Sequence, residues 1–345
     1  MDKVFYDGTK LLSLKDINGN TPEIYMCTSN RSAGKTTYFN RLAVNRYIKD
    51  GEKFCVLYRF NYELVDCADK FFKDLQFLFF PGHYMSSKVR AKGVYHELYI
   101  DDISCGYAIA LNGADQIKKM SHMFSDVKRI IFDEFQSETN KYCPDEVRKL
   151  LSIHTSIARG GGKQVRYVPV YMISNPVTLL NPYYIEMGIS ERLRSDTHYL
   201  KGDGFVLEQG YNEAASLAQQ ESAFNRAFRK NKYVAYNTEA LYLNDNSAFV
   251  LKPSGSFRYL CTLKYNGELY GIREYIQEGI VCCDDKADTS YPLKITVTTE
   301  DHEINYVMLK RNDIFLSNLR YYFEKGCFRF KNLKCKEVIL KSLSY

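Results

Sequence analysis

Ser29-Asn30-Arg31-Ser32-Ala33-Gly34-Lys35-Thr36-Thr37 decides how the rest of this chain is read. Upstream lies a short apolar run, Ile24-Tyr25-Met26-Cys27. Downstream, Phe39, Ala43 and Tyr47, with Leu42 beside them, recur at helical spacing as far as Gly51. A strand, a small-residue loop with Gly-Lys-Thr, then a helix is an arrangement that binds phosphate. The N–H groups of the loop and of the helix N-terminus wrap the anion. In such a P-loop Lys35 reaches the β- and γ-phosphates of a nucleoside triphosphate and the Thr36 hydroxyl ligates Mg²⁺. The pattern is imperfect, because G-x-x-x-x-G-K-[ST] has glycine where this chain has Ser29. Gly-Lys-Thr also occurs in ordinary strand–turn–helix units, so the reading depends on what surrounds it.

Working outward, Phe54-Cys55-Val56-Leu57-Tyr58-Arg59 reads as a strand buried on both faces and completes a βαβ unit. Arg59 at its end is expected either to face the phosphates or to pair with Glu63. A second apolar strand, Arg129-Ile130-Ile131-Phe132, ends in Asp133-Glu134, the Walker B arrangement. Asp133 is expected to hold Mg²⁺ and Glu134 to orient and deprotonate the attacking water. Asn140 to Arg159 reads as a turn then a helix, with Pro144 at its first position and Asp145 and Glu146 toward the dipole. Arg159 precedes Gly160-Gly161-Gly162, which leaves two readings open: a cation complementing the helix end, or a group reaching a neighbouring subunit. Val170-Tyr171-Met172-Ile173 ends in Ser174-Asn175, polar groups placed to sense the γ-phosphate or hold the water. Phe5 and Tyr6 either stack on an adenine or pack as an N-terminal tail. Lys88, Arg90 and Lys92 share one face of a strand, as a grip on a phosphate backbone or as a solvated edge.

Composition sets the bounds. A chain of 345 residues implies two domains. Its hydrophobic fraction of 45% and charged fraction of 26% are those of a soluble globular protein. The net charge of +6 permits a polyanionic partner without requiring one. Ten cysteines without a C-x-x-C pair and six histidines without H-E-x-x-H argue against a Cys/His metal site and suit a reducing compartment. The N-terminus lacks a signal-peptide pattern, and apolar runs such as Phe77-Leu78-Phe79-Phe80 are too short to span a bilayer, so a cytoplasmic protein with no membrane partner is expected.

In order, S-N-R-S-A-G-K-T, I-I-F-D-E-F, P-D-E-V-R-K-L-L with its later A-R, and I-S-N-P-V-T-L-L-N-P-Y-Y resemble the DNA-packaging (encapsidation) ATPases of phi-29-like phages. These are relatives of terminase large subunits within the ASCE class of P-loop motors. The resemblance runs from the N-terminus to about residue 200 and continues more weakly to the C-terminus. It implies an α/β fold: an ASCE P-loop ATPase domain with a mostly parallel central sheet at 1–197, a helical linker at 198–240 and an α+β vestigial RNase H-like domain at 241–345. It implies ATP and Mg²⁺ as ligands. It also implies a homo-oligomeric ring, expected pentameric, moving double-stranded DNA in the host cytoplasm at the portal of a procapsid, in some relatives with a packaging RNA. Residue by residue, it places Ser29 to Thr37 on the nucleotide, with Lys35 catalytic and Arg31 near the γ-phosphate. Thr36 and Asp133 fall on Mg²⁺ and Glu134 on the base. Arg159 becomes an arginine finger acting in trans, Lys118 or Lys119 a second trans-acting cation, and Ser174 and Asn175 a sensor or coupling motif. Ser29 and Ser32 replace family glycines, which requires φ to stay negative there.

Further on, the pattern from about 198 to 240 reads as a polar helix linking two domains, with Glu213 to Ala218 and then Phe224 and Phe228 among Arg226, Arg229 and Lys230. Asn266-Gly267 signals a hairpin between Phe257–Lys264 and Glu268–Arg273. Strands at Gly279–Cys283 and Lys294–Thr298, a helix capped by Asn312 or Asp313 and closed by Gly326, and a last helix at Asn332–Leu343 follow. Three strands then a helix fit an RNase H-like module. A nuclease of that type needs converging carboxylates. Phe257 to Tyr265 contains no acid and Asp284-Asp285 read as a turn, so no cutting activity is expected. The rival readings are a helicase or partition ATPase on the same fold, a nucleotide-binding scaffold without turnover, and a nuclease-competent terminase.

Overall fold

The apolar runs flanking the phosphate-loop pattern become strands of one sheet in the computed structural model, which describes residues 5–139, 141–160, 162, 164–179, 181–193, 197–239, 253–308 and 314–343. In chain order the strands are β1 (Ile24–Thr28), β2 (Lys53–Tyr58), β3 (Met85–Arg90), β4 (Tyr95–Ile100), β5 (Ile103–Ala110), β6 (Val127–Asp133), β7 (Val170–Ser174), β8 (Tyr199–Gly202) and β9 (Phe205–Gln209). Their order across the sheet is β3-β4-β5-β2-β6-β7-β1-β9-β8. From β5 to β9 every pairing is parallel; β3 and β4 extend one edge antiparallel, and β8 the other. Successive strand residues point to opposite faces, so the unbroken burial of β2 from Phe54 to Leu57 means both faces are covered. β7 separates the loop-bearing β1 from the acid-bearing β6, the order that the resemblance to ASCE motors implies. All three end on the same side, where open parallel sheets collect ligands.

The helix Lys35–Asp50 follows β1 directly. Phe39, Ala43 and Val44 form its buried face, and Gly51, at φ +67, closes it with its N–H on Tyr47 O. The next expected helix begins later than the sequence suggests. Asp145, at φ +54, is its N-cap, so Pro144 lies outside, and the helix runs Glu146–Ala158. Glu146 is not a surface dipole charge, because it is drawn inward to a buried arginine.

The expected domain boundaries change. The chain divides into two units, Met1–Pro176 with Thr197–Leu241, and Val177–Asp196 with Tyr242–Tyr345. The expected linker therefore belongs to the first unit. Phe205-Val206-Leu207 is a buried strand lying parallel to β1, reached through a tight turn at Asp203-Gly204. Its run is too short, between polar residues, to stand out by periodicity. Three short helices, Glu213–Glu221, Ala223–Ala227 and Lys232–Glu239, replace the single polar helix.

Conversely, the helices Pro182–Glu186 and Ile189–Arg192 fall with the second unit. The buried Lys336 donates to Leu193 O at 3.0 Å and Lys341 donates to Ile185 O at 3.2 Å, which staples this segment to the C-terminal helix Leu333–Leu343.

The second unit holds β10 (Arg258–Tyr265), β11 (Glu268–Tyr275), β12 (Ile280–Asp284), β13 (Lys294–Thr296), β14 (Val307–Met308) and β15 (Phe328–Phe330), in the order β14-β13-β10-β11-β12-β15. β10 to β12 form an antiparallel meander, and β13 and β14 add parallel beside β10. This is the order of an RNase H-like sheet, with β15 added parallel to β12. Asn266 and Gly267 both take positive φ, the turn that matches strand twist. Gly326 closes the helix Ile314–Glu324, and Asn332 caps the last helix by accepting from Cys335 N at 2.9 Å. The cap expected at Asn312 or Asp313 lies outside the described residues.

Candidate active site

The loop after β1 turns sharply enough to need left-handed backbone twice. Gly34, at φ +93, is the N-cap of the following helix, where glycine costs nothing. Ser32 stands at φ +61, against the expectation of negative φ, and this costs about 1–2 kcal/mol. Neighbours over-determine the loop. Gln219 donates to Ser32 Oγ at 3.0 Å, Asn30 exchanges two 2.9 Å bonds with the backbone of Asn212, and Arg31 N donates to Asn237 O at 3.3 Å. The segment expected to be a linker thus braces the loop.

Lys35 is buried, and its ammonium donates to Ser29 O (2.9 Å), Ser29 Oγ (3.0 Å), Asn30 O (3.1 Å) and Asn175 Oδ1 (3.3 Å). Burial pushes its pKa down, partly opposed by Cys27 and Asp133. The Thr36 hydroxyl lies near the Asp133 carboxylate. Burial raises the Asp133 carboxyl, and that hydroxyl, the Glu134 N–H and Lys35 offset it only in part. Glu134 is open to solvent at the cleft mouth, yet surrounding chain, then Asp133 and Glu138, push its carboxyl up. Hydroxyl and carboxylate oxygens side by side, with the carboxylate under-compensated, suit a hard divalent cation such as Mg²⁺.

Glu134 sits at φ +55, a strained conformation for a non-glycine residue. What holds it there is Arg59. Arg59 Nε pairs with both oxygens of the buried Glu146 (3.1 and 3.0 Å), and its Nη2 donates to Glu134 O (3.1 Å) and Phe135 O (2.8 Å). The Arg59 side chain is thus committed to Glu146 and to this turn, and it lines a cavity of about 400 Å³ together with Thr36, Asp133 and Glu134. Glu63 accepts instead from the Arg59 backbone N–H at 2.8 Å.

These groups share a cleft of about 310 Å³ lined by Arg31, Ser32, Ala33, Gly34, Lys35, Thr36, Thr37, Asp133, Glu134, Ser174 and Asn175. Nearly every cis residue singled out from the sequence is present, and Ser29 reaches the site through Lys35. Arg159 is exposed beyond its helix, does not line the cleft and has no ion pair among the described residues. Lys118 and Lys119 are exposed on the helix Ala114–Lys119, which packs against the helix ending at Arg159. Tyr6 is committed to Glu208 at 2.6 Å, whereas Phe5 is exposed beside Gly34. Arg90 pairs with Glu97 and Lys88 lies over Tyr99, while Lys92 has left the strand, so the basic face is a solvated edge. Sequence reasoning missed Arg59–Glu146, Glu138, Asn212, Gln219 and Tyr233. Only Asn212, a helix cap ahead of Glu213, carried a local signal.

A profile of the family described as Podovirus DNA encapsidation protein (Gp16) matches residues 1–344. The DNA packaging protein of Bacillus phage phi29 is 27% identical over 337 residues, 96% of this chain and 95% of its own length. That of Bacillus phage PZA is likewise 27% identical over 337 residues, with the same shares. Among solved structures, the bacteriophage Phi-29 genome packaging motor assembly aligns with a TM-score of 0.58 at 24% identity, covering 99% of this chain and 100% of that one, a likeness of fold. With the phosphate loop, the paired acids and the Ser-Asn strand end all inside the matched span, the chain belongs to the podovirus DNA encapsidation protein family.

Proposed function

We propose that this chain hydrolyses ATP in the cleft and couples hydrolysis to translocation of double-stranded DNA into a procapsid, as a homo-oligomeric ring, pentameric as the phi-29-like resemblance implies. One observation carries the reading: Lys35, Thr36, Asp133, Glu134, Ser174 and Asn175, from three separate strand ends, line a single cleft.

Phosphates entering the loop replace the Ser29 and Asn30 carbonyls as acceptors for Lys35. The Thr36 hydroxyl and Asp133 would hold Mg²⁺, whose charge balances the phosphate oxygens. A cavity of about 480 Å³ beyond Ser29, lined by Phe5, His198, Tyr199 and Tyr211 among others, offers aromatic surface to the base. Glu134, aimed by the Arg59-held turn and carrying a raised pKa, takes the proton of the attacking water. Asn175 joins Lys35 to the end of β7, a path by which loss of the γ-phosphate reaches the sheet. Arg159 of the next subunit stabilises charge on the transferring phosphoryl group, and Lys118 or Lys119 assists from the same face. The portal of the procapsid, and in some systems a packaging RNA, are the partners this reading implies. Grip on DNA through phosphates is sequence-independent and weakens with salt.

Glu134→Gln is expected to bind ATP and to lose turnover by about 10²–10⁴-fold, measured by phosphate release. Unchanged turnover rejects Glu134 as the base. DNA-stimulated ATPase activity with and without procapsids separates packaging from a helicase or partition role: a packaging motor needs the procapsid for full coupling.

A further inference from the structure

A third carboxylate lies beyond the pair that ends β6. Glu138 follows Gln136 and Ser137 in the turn after the strand. Its Oε1 forms an ion pair with Arg31 of the loop and accepts a long 3.5 Å bond from Asn175 Nδ2. Its Oε2 accepts the Tyr233 hydroxyl at 3.2 Å. Tyr233 belongs to the helix Lys232–Glu239, and the Arg31 guanidinium lies 5.6 Å from the centre of its ring. The same helix supplies the Asn237 carbonyl to Arg31 N. One carboxylate therefore joins the phosphate loop, the end of β7 and a helix distant in sequence, and Arg31 and Asn175 both line the cleft.

We propose that Glu138 is a positioning residue that carries the nucleotide state of the cleft to the helix Lys232–Glu239, by competing with the terminal phosphate for Arg31. The proposal rests on the reading of the cleft as an ATP site. The Arg31 side chain is 40% exposed and that of Glu138 30%, so their pair is a weak one and readily exchanged. A phosphate dianion offers the guanidinium a stronger, bidentate partner. When Arg31 turns to it, Glu138 keeps the Tyr233 hydroxyl and the Asn175 amide but loses its cation. The Tyr233 ring loses the guanidinium above it. ADP, with no γ-phosphate, leaves the clamp closed. The helix so released is the last described element of the first unit in chain order, ahead of the segment that enters the second unit.

The chain contains no tryptophan, so Tyr233→Trp introduces a single indole that keeps an aromatic ring and an N–H donor facing Glu138. Equilibrium binding of a non-hydrolysable ATP analogue and of ADP is measured on the full chain with and without Glu138→Gln. Removing a competing surface charge worth up to about 1 kcal/mol is expected to tighten analogue binding by about 3- to 5-fold and to leave ADP binding unchanged. A merely structural role predicts weaker binding of both. In the Tyr233→Trp chain, indole emission is expected to change with the analogue and not with ADP. In the Tyr233→Trp, Glu138→Gln chain, the nucleotide-free emission is expected to match the analogue-bound value. Equal or weakened analogue binding by Glu138→Gln, or emission blind to the analogue, overturns the proposal while the wild type still binds nucleotide. A wild type that binds neither nucleotide overturns the ATP-site reading beneath it.

Discussion

The strands β6 and β12 both end in adjacent acids, and the two pairs live in opposite electrostatic settings. At the end of β6, burial pushes Asp133 up and the nearby hydroxyl, N–H and ammonium do not restore it; Glu134, though open to solvent, is pushed up by the surrounding chain and by Asp133. At the end of β12, burial also pushes Asp284 up, but the Lys286 N–H and the charges of Arg273 and Lys331 outweigh it and hold the carboxyl below its usual range. Arg273 and Lys331 pair directly with Asp284, and Lys331 also pairs with Asp285. Adjacent strand-end acids are therefore not a site in themselves. They become one where the cations nearby do not offset burial, which leaves the carboxylates suited to a metal ion. Among the described residues of either unit there is no group of three or more acids, histidines or cysteines placed to share a metal, so the difference between the two pairs lies in their surrounding charges.

The largest test of that contrast is Arg159→Ala. If the cleft takes its missing cation from the next subunit, turnover is expected to fall by about 10³-fold or more. Mixing with Glu134→Gln subunits is expected to restore part of it, because the two lesions then fall on opposite sides of one site. No rescue at any ratio would break the comparison on the side of the cleft.

Next in size is Arg59→Ala. It strands Glu146 in the core and frees the turn that holds Glu134, with an expected loss of about 3–5 kcal/mol in chemical denaturation of the first unit. Arg59→Lys, which keeps the charge but not the fork, is expected to be more stable than Arg59→Ala yet slow in turnover, since it cannot hold two carbonyls and Glu146 together.

The smallest effect sharpens the second unit. Asp284→Asn removes the acceptor for Arg273 and Lys331 and is expected to cost about 2 kcal/mol, read by hydrogen exchange across β10 to β12. The signs with pH are opposite for the two pairs. Asp284, with a lowered pKa, stabilises its unit above the ordinary carboxylate value near about 3.9, and that stability is lost as pH falls through its folded pKa. Asp133 and Glu134, with raised pKa values, oppose folding when ionised, so acidification relieves the contribution of that pair while it removes that of Asp284. Glu134 must be ionised to act as a base, so the acid limb of ATP turnover is expected above the ordinary glutamate value of about 4.3. Hydrogen exchange showing that Asp133→Asn and Asp284→Asn both destabilise their units at neutral pH would refute the contrast.

What was legible beforehand was local. Ser29 to Thr37, Asp133-Glu134 and Ser174-Asn175 each place their chemistry in consecutive residues at the end of an apolar run, and the Asn266-Gly267 turn is written in two letters. Arg59 offered two partners from sequence, and its ion pair is with a third, because Glu146 lies far along the chain and is brought to it only by packing. The supposed linker was misjudged for the same reason. Phe205 to Leu207 has too few residues for its period to show, and only the free edge of β1 makes it a strand.

By itself, then, the chain of residues determined that a phosphate loop, a pair of acids and a polar strand end exist, since backbone geometry and side-chain type act over a few neighbouring residues. Only the tertiary structure decided which acids stay uncompensated, which arginine holds the turn at Glu134, and that Asn212, Gln219 and Tyr233 close over the loop. Those outcomes depend on burial and on charges distant in sequence, and a carboxylate acquires its pKa from the atoms around it in space.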